Sequence, residues 1–324
     1  MNHAIRIYET GGPEVLRWEE FKLGELAPNE ARVRHAAVGL NFIDIYFRSG
    51  RYPLTLPNGL GLEGAGVVEA IGSAVTEVQV GERVAYAGGP PGAYSETRNI
   101  PADRLVRLPE SIDFKHAAAM MLQGMTAQYL LRRTYRVQPG DTILIQAAAG
   151  GVGLIVCQWA KALGAKVIGT VGSDEKAALA KAHGCDHPIV YTRENFVERV
   201  KEITSGEGVP VVYDSVGGDT FMKSLDCLRP LGMMVTFGQS AGPVAPVDTQ
   251  ELSKRGSLFL TRPSLFTYVA KRADLLQSAQ ELFDMVGAGR VKIEVNQSYA
   301  LRDAAQAHID LAARKTTGST ILLP

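Results

Sequence analysis

An apolar run over 142–147 leads directly into A-A-A-G-G-V-G at 147–153. The segment 151–163 that follows sets Val152, Ile155, Val156, Trp159 and Leu163 on one helical face. A strand, a glycine turn and a helix in immediate succession leave few folds open. Such a turn is tight, lets its backbone approach a ligand closely, and offers an anion the unpaired N–H groups of a helix N-terminus. The order therefore predicts a dinucleotide-binding turn, with Ala148 in the place of the simplest motif's first glycine and Gly150, Gly151 and Gly153 in the places after it. A tight bend with no ligand is the alternative.

The alternation continues beyond the turn. Strand signals at 166–171, 188–191, 209–215, 233–238 and 257–260 are interleaved with helix signals at 175–183, 194–204 and 220–228. About six strands with crossover helices predict a Rossmann doubly wound parallel sheet, assigned to 125–264. Residues 1–124 read differently, as short strands at 31–37, 65–71 and 81–87 before the turn cluster Gly88-Gly89-Pro90-Pro91-Gly92, which makes that half mainly β. The tail 265–324 carries an amphipathic helix with Leu275, Leu276, Ala279, Leu282, Phe283 and Val286 on one face, a helix near 303–313 and a last strand; it is expected to complete the N-terminal half. The fold class is thus α/β, a Rossmann sheet plus a mainly-β domain.

The end of the second Rossmann strand bears on coenzyme choice. A carboxylate there would bind the ribose hydroxyls and repel a 2′-phosphate. The strand instead ends Gly169-Thr170-Val171-Gly172-Ser173, and Asp174 reads as an acid in the first turn of the next helix. Ser173 and Lys176 offer a hydrogen bond and a charge to a phosphate, which favours NADPH over NADH; for Lys176 the alternative is an ordinary solvated lysine.

The 324 residues suit two domains. Thirty-four basic residues balance 34 acidic ones without a basic stripe, which argues against nucleic acid as a partner. No apolar stretch approaches the roughly 18 residues of a membrane span, and only three cysteines occur, Cys157, Cys185 and Cys227. A cytoplasmic protein with buried free thiols is expected.

Several separated motifs, in one order along nearly the whole chain, resemble the medium-chain dehydrogenase/reductase superfamily and within it the zeta-crystallin-like NADPH:quinone oxidoreductases. They are G-L-N-F-I-D-I-Y-F-R-S-G at 39–50, G-L-G-L-E-G-A-G at 59–66, G-E-R-V at 81–84, G-A-Y at 92–94, G-M-T-A at 124–127, the turn at 147–153, V-Y-D-S-V-G at 212–217 and T-R-P-S-L at 261–265. The resemblance implies a GroES-like fold for 1–124 with 265–324, an active site in the cleft between the domains, and a homodimer formed through the last Rossmann strand near Ser257 to Leu260.

It also implies site residues. Asn41, Asp44 and Tyr46 match a loop that reaches the nicotinamide and the substrate, with Tyr52 just beyond. Thr126, Gly151 and Val152 match positions against the pyrophosphate, and Ser173, Lys176, Tyr191 and Arg314 positions around the 2′-phosphate. Ser215, Gly238, Gln239, Ser240, Leu265 and Phe266 match others along the cofactor groove. For Tyr191 a strand-end aromatic, and for Leu265 simple core packing, are the alternatives.

Zinc enzymes of this superfamily hold their metal through cysteine and histidine. Here the corresponding stretches read Gly39-Leu40-Asn41 and Gly61-Leu62-Glu63, and the cysteine cluster of a structural zinc lobe is missing. No metal is expected, and Glu63 reads as a structural remnant. Without a Lewis acid, Tyr46 and Tyr52 are the candidate donors to the oxygen of an acceptor, with Asn41 positioning the nicotinamide or the substrate. The activity implied is NADPH-dependent reduction of a quinone. Reduction of an α,β-unsaturated carbonyl or enoyl thioester is the close alternative, and an NADPH-binding structural or RNA-binding role is the alternative of another class.

Overall fold

The computed structural model describes residues 2–324. The chain forms two compact units, one of Met1–Met125, Val269–Gly287 and Ile293–Pro324, the other of Thr126–Tyr268 and Ala288–Lys292.

In chain order, β1 (His3–Ile7), β2 (Arg17–Glu20) and β3 (Glu30–Leu40) precede the short helix α1 (Phe42–Arg48). Then come β4 (Asn58–Gly59), β5 (Glu63–Ile71), β6 (Arg83–Ala87), β7 (Thr97–Pro101), β8 (Val106–Arg107) and α2 (Phe114–Tyr129). The alternating half runs β9 (Thr142–Ile145), α3 (Gly151–Ala162), β10 (Lys166–Val171), α4 (Asp174–Ala182), β11 (His187–Val190) and α5 (Phe196–Ile203). It continues with β12 (Val209–Asp214), α6 (Thr220–Leu225), β13 (Leu228–Thr236), α7 (Gln250–Lys254), β14 (Phe259–Thr261) and α8 (Leu265–Tyr268). The tail supplies α9 (Arg272–Gly287), β15 (Val295–Ala300), α10 (Ala304–Ala312) and β16 (Ser319–Leu323).

The first unit is built on a sheet ordered β15-β16-β3-β5-β6-β8, with β7 also paired to β3, and a smaller sheet β2-β1-β4. Its longest strand, β3, buries Ala31, Val33 and Ala37 and turns Arg32 and Arg34 outward, the period of two that one buried face imposes. Register shifts at Arg32/Val33 and His35/Ala37 bend that strand. The tail completes this unit: β16 pairs antiparallel with β3, and Leu301, Ala304, Ala307 and Leu311 join its core.

In the second unit all strands are parallel and ordered β11-β10-β9-β12-β13-β14. The order reverses between β9 and β12, and ligands of such sheets bind beyond the strand ends at that point. All six residues of β12 are buried, as befits a strand covered on both faces, so it shows no polar alternation.

Three features depart from the sequence expectations. Residues 42–48, expected as a loop, form α1, because Asn41 and Asp44 build a capping box at its start. The helix α2 was not anticipated: Ala117 to Met121 are all buried, so no polar face marks its period. The units also divide differently from 1–124/265–324 and 125–264, since 265–268 and 288–292 lie with the parallel sheet. The Gln158 carboxamide holds the latter segment by exchanging hydrogen bonds with the backbone of Lys292, 2.8 and 3.0 Å long.

Candidate active site

The glycine turn is shaped by backbone crowding. Ala147 takes a left-handed conformation (φ 58), and the Ala148 N–H bonds to the Thr170 carbonyl at 2.9 Å. Ala148 can replace a glycine because Gly169 on β10 leaves room: a Cβ there would sit 2.5 Å from the Ala148 methyl. Gly153 is required, since a Cβ would lie 2.7 Å from the Ala148 carbonyl and closer still to the Ala147 oxygen. Gly150 caps α3 without a side-chain bond, and the first helical bond runs from the Leu154 N–H to the Gly150 carbonyl. The amides of Gly151, Val152 and Gly153 precede it, at the positive end of a 12-residue helix. These features fit the pyrophosphate of a dinucleotide.

Gly172, Ser173, Lys176 and Tyr191 come together where β10 and β11 end. Ser173 caps α4, its hydroxyl accepting from the Lys176 N–H at 3.3 Å. A Cβ on Gly172 would stand 3.1 Å from the Tyr191 hydroxyl, so this glycine lets the ring lie over the strand end. Asp174 is engaged elsewhere, receiving both Arg193 guanidinium nitrogens at 2.6 and 2.7 Å, and this bond holds its carboxyl below the usual range. The strand end thus carries no unpaired acid to repel a phosphate. Arg314, expected near the same phosphate, belongs to the first unit, just past α10 with φ 58.

Of the remaining groove candidates of the second unit, Ser215, Gly238 and Ser240 meet where β12 and β13 end. The Ser240 N–H bonds to the Ser215 carbonyl at 3.1 Å, and a Cβ on Gly238 would lie 2.6 Å from that same oxygen. Gln239 follows β13, and Thr126 is buried in α2. Leu265 is buried on α8, whereas Phe266 is exposed. Sequence reasoning gave Asp214 no role, yet it organises these loops. Its buried carboxylate accepts from the Val216 and Gly217 amides at 2.7 and 3.0 Å and from the Thr220 and Ser224 hydroxyls at 3.1 Å each. The signal was D-S-V-G at a strand end, the composition of an Asx turn.

In the first unit, Asn41, Asp44, Tyr46 and Tyr52 gather around α1. The Asn41 N–H donates to Asp44 Oδ2 at 2.9 Å, as does the Tyr94 hydroxyl. Tyr94 lies 3.1 Å from His308 Nε2, and Arg48 lies 3.1 Å from His308 Nδ1. Arg48 has only protons to give, so His308 carries its own on Nε2 and the donors run Arg48, His308, Tyr94, Asp44. Asp44 is 0% exposed and its Oδ1 has no partner; burial raises its carboxyl to about 7 against the bonds from Asn41 and Tyr94. Tyr46 packs its ring edge-on to Tyr52 at 5.3 Å, while the Tyr52 N–H bonds the Tyr46 carbonyl.

Glu63, expected as a structural remnant, is tied into the unit by hydrogen bonds. It is 0% exposed; Oε2 accepts from Asn41 Nδ2 at 2.7 Å and Oε1 from the Leu122 N–H at 2.8 Å. A zinc ion does not fit these residues: Asn41 offers an amide already spoken for by Glu63, and Leu62 is a buried hydrocarbon. Among the described residues no group of three or more His, Cys, Asp or Glu is placed to hold a metal.

These burials give the first unit a pH signature. Desolvation raises Asp44 to about 7 and Glu63 to about 8, so the native state keeps protons that the unfolded chain loses above about 4, and stability falls as pH rises toward 8. Buried His35 and His308, lowered to about 4 and about 3, act oppositely, and only up to their ordinary value of 6.5. The two effects offset each other in acid, and the carboxyls act alone above. The stability of the chain is expected to fall between pH 6.5 and 8, by up to about 1.4 kcal/mol per pH unit for each proton released on unfolding; a calorimetric midpoint rising over that interval would contradict the assignment.

Residues 151–288 match the zinc-binding dehydrogenase family model, and 27–110 match the alcohol dehydrogenase GroES-like domain. The chain is 55% identical to a quinone oxidoreductase of Pseudomonas aeruginosa, over 100% of both chains. It is 48% identical to a 2-haloacrylate reductase of Burkholderia sp, over 99% of this chain and 98% of that one. The crystal structure of Escherichia coli quinone oxidoreductase complexed with NADPH superposes with a TM-score of 0.98 at 50% identity, over 99% of this chain and 100% of that one. With this identity sustained from end to end, the chain belongs to the quinone oxidoreductase family of the medium-chain dehydrogenase/reductase superfamily.

Proposed function

We propose that this protein is a zinc-independent NADPH:quinone oxidoreductase. The observation that carries the coenzyme half is the end of β10, where the Tyr191 hydroxyl lies over Gly172, Ser173 caps α4 at the Lys176 amide, and the nearby Asp174 is neutralised by Arg193. When bound, NADPH supplies a hydride to an electron-poor acceptor. In this reading Gly151 and Val152 offer amides to the pyrophosphate, and Thr126, Ser215, Gly238, Gln239, Ser240, Leu265 and Phe266 line the groove. The family resemblance alone carries Arg314 as a second charge for the 2′-phosphate. Tyr46 and Tyr52 donate to the oxygen on which negative charge develops, and Asn41 orients the acceptor. Asp44 acts through Asn41, as the other half of the capping box.

The absence of cysteine and imidazole donors around Asn41 and Leu62 supports metal-free chemistry. The exposed Phe259 and Leu260, 57% and 39% open on the edge strand β14, support a homodimer paired through that strand. Three free, buried cysteines support a cytoplasmic location. Among the described residues no helix is long and apolar enough to cross a membrane.

The likeness to a 2-haloacrylate reductase favours a second reading, reduction of an activated C=C bond. Steady-state NADPH oxidation with a panel of 1,4-quinones against alkenals and 2-haloacrylates separates the two. Quinones are expected to give the larger kcat/KM; turnover confined to the alkenes would overturn the quinone reading.

A further inference from the structure

The Glu63 carboxylate ends a chain of hydrogen bonds that has two self-consistent settings. Ser319 Oγ donates to Gln123 Oε1 at 2.7 Å, Gln123 Nε2 donates to Asn41 Oδ1 at 3.1 Å, and Asn41 Nδ2 donates to Glu63 Oε2 at 2.7 Å. All four side chains are buried. Both middle members are carboxamides, which present a donor on one side and an acceptor on the other and exchange them on a half-turn. Ser319, at the far end, has a hydroxyl that donates or accepts.

We propose that Glu63 is a positioning residue that sets which way the Asn41 carboxamide faces, through a chain that reverses when Glu63 gains a proton. As a carboxylate it accepts from the Asn41 nitrogen, the arrangement described. As a carboxylic acid it donates from Oε2, because Oε1 is held by the Leu122 amide. Asn41 must then turn its oxygen to Glu63 and its nitrogen to Gln123, and Gln123 turns its nitrogen to Ser319. The half-turn also withdraws Asn41 Oδ1 from the Asp44 N–H, which keeps its bond to the Asn41 main-chain carbonyl at 3.0 Å, so the acid setting opens that side of the capping box. The inference rests on the reading that Asn41 orients the acceptor, and it gives that residue two settings.

The packing leaves Glu63 no other course. A Cβ on Gly39 would come within 2.7 Å of its carboxyl carbon, so the glycine at that point of β3 is what admits the group. The charged and titratable groups around it are Asp44 from α1, which disfavours a second negative charge, Tyr86 from β6, and Tyr94. From α2 it receives only the backbone amides of Met121 and Leu122. Burial outweighs these two bonds and lifts the carboxyl to about 8, so the change of setting falls in a range where activity is readily measured.

Glu63→Gln discriminates. Its Oε1 still accepts from Leu122, and its Nε2 donates to Asn41 at every pH, which locks the acid setting. With NADPH and a 1,4-quinone from pH 6 to 9.5, wild-type kcat/KM is expected to show an inflection near pH 8. The variant is expected to lose the inflection near pH 8 and to keep only the pH dependence that Asp44, raised to about 7, confers. An unchanged inflection in Glu63→Gln would overturn the proposal. A titration of the wild-type protein needs no variant: the side-chain amide ¹⁵N signals of Asn41 and Gln123 should move together with one midpoint, and signals that stay fixed would overturn it. Asn41→Ala tests the reading underneath. If it keeps wild-type kcat/KM, Asn41 does not orient the acceptor, a failure distinct from that of a silent amide titration.

Discussion

Gly153→Ala is expected to weaken NADPH binding by about 100-fold, roughly 2.7 kcal/mol, while leaving the parallel sheet folded. The atoms that a new methyl would strike, the Ala147 oxygen and the Ala148 carbonyl, are backbone atoms of the turn itself and cannot rotate away. The start of α3 must move outward. A displacement of about 1 Å is enough to misdirect the amides of Gly151 and Val152. Overpacking costs about 1–3 kcal/mol of stability, which a domain of this size tolerates. Fluorescence titration with NADPH, alongside far-ultraviolet circular dichroism, checks both halves. Wild-type affinity in a folded variant would show that the turn does not hold the cofactor.

Asp214→Ala is expected to lower stability by about 3 kcal/mol or more. Four donors converge on this buried carboxylate, and removing it strands the amides of Val216 and Gly217 and the hydroxyl of Ser224. The damage extends inward, because the Gln146 amide donates to that same Ser224 hydroxyl and receives the Thr170 hydroxyl. Thr170 in turn receives the Ala147 N–H, so the network ends at the glycine turn. Equilibrium urea unfolding measures the loss, and a change below about 1 kcal/mol would contradict the assigned role.

How much the sequence reveals depends on the range over which each feature is determined. The Rossmann strands are legible because they are short apolar runs punctuated by glycine and cap residues, all within a few positions. The edge strand expected at 257–260 is observed at Phe259–Thr261, later because Ser257 still belongs to the left-handed turn before it. Local signals also sufficed, in principle, for α1: Asn41 and Asp44 stand three apart, as a capping box requires. β15 escaped because its sequence, V-N-Q-S-Y-A, is that of a polar strand without a buried face. Glu63 was illegible for another reason. Its partners lie 22 and 59 positions away, and the chain that Asn41 extends closes on a bond spanning 196, so nothing short of the folded unit brings them together. Asn41, Asp44, Tyr46 and Tyr52 were found through the resemblance, whereas their mutual geometry came only from the structure.

The central claim is an NADPH-dependent, metal-free reduction of quinones. Its most direct test is kcat/KM for one 1,4-quinone, measured on chelator-treated wild-type protein with NADPH and with NADH. The account predicts full activity after chelation and a preference for NADPH of at least about tenfold, the worth of a charge-assisted hydrogen bond to the 2′-phosphate. Equal efficiencies with the two coenzymes, or activity restored only by added zinc, would contradict it.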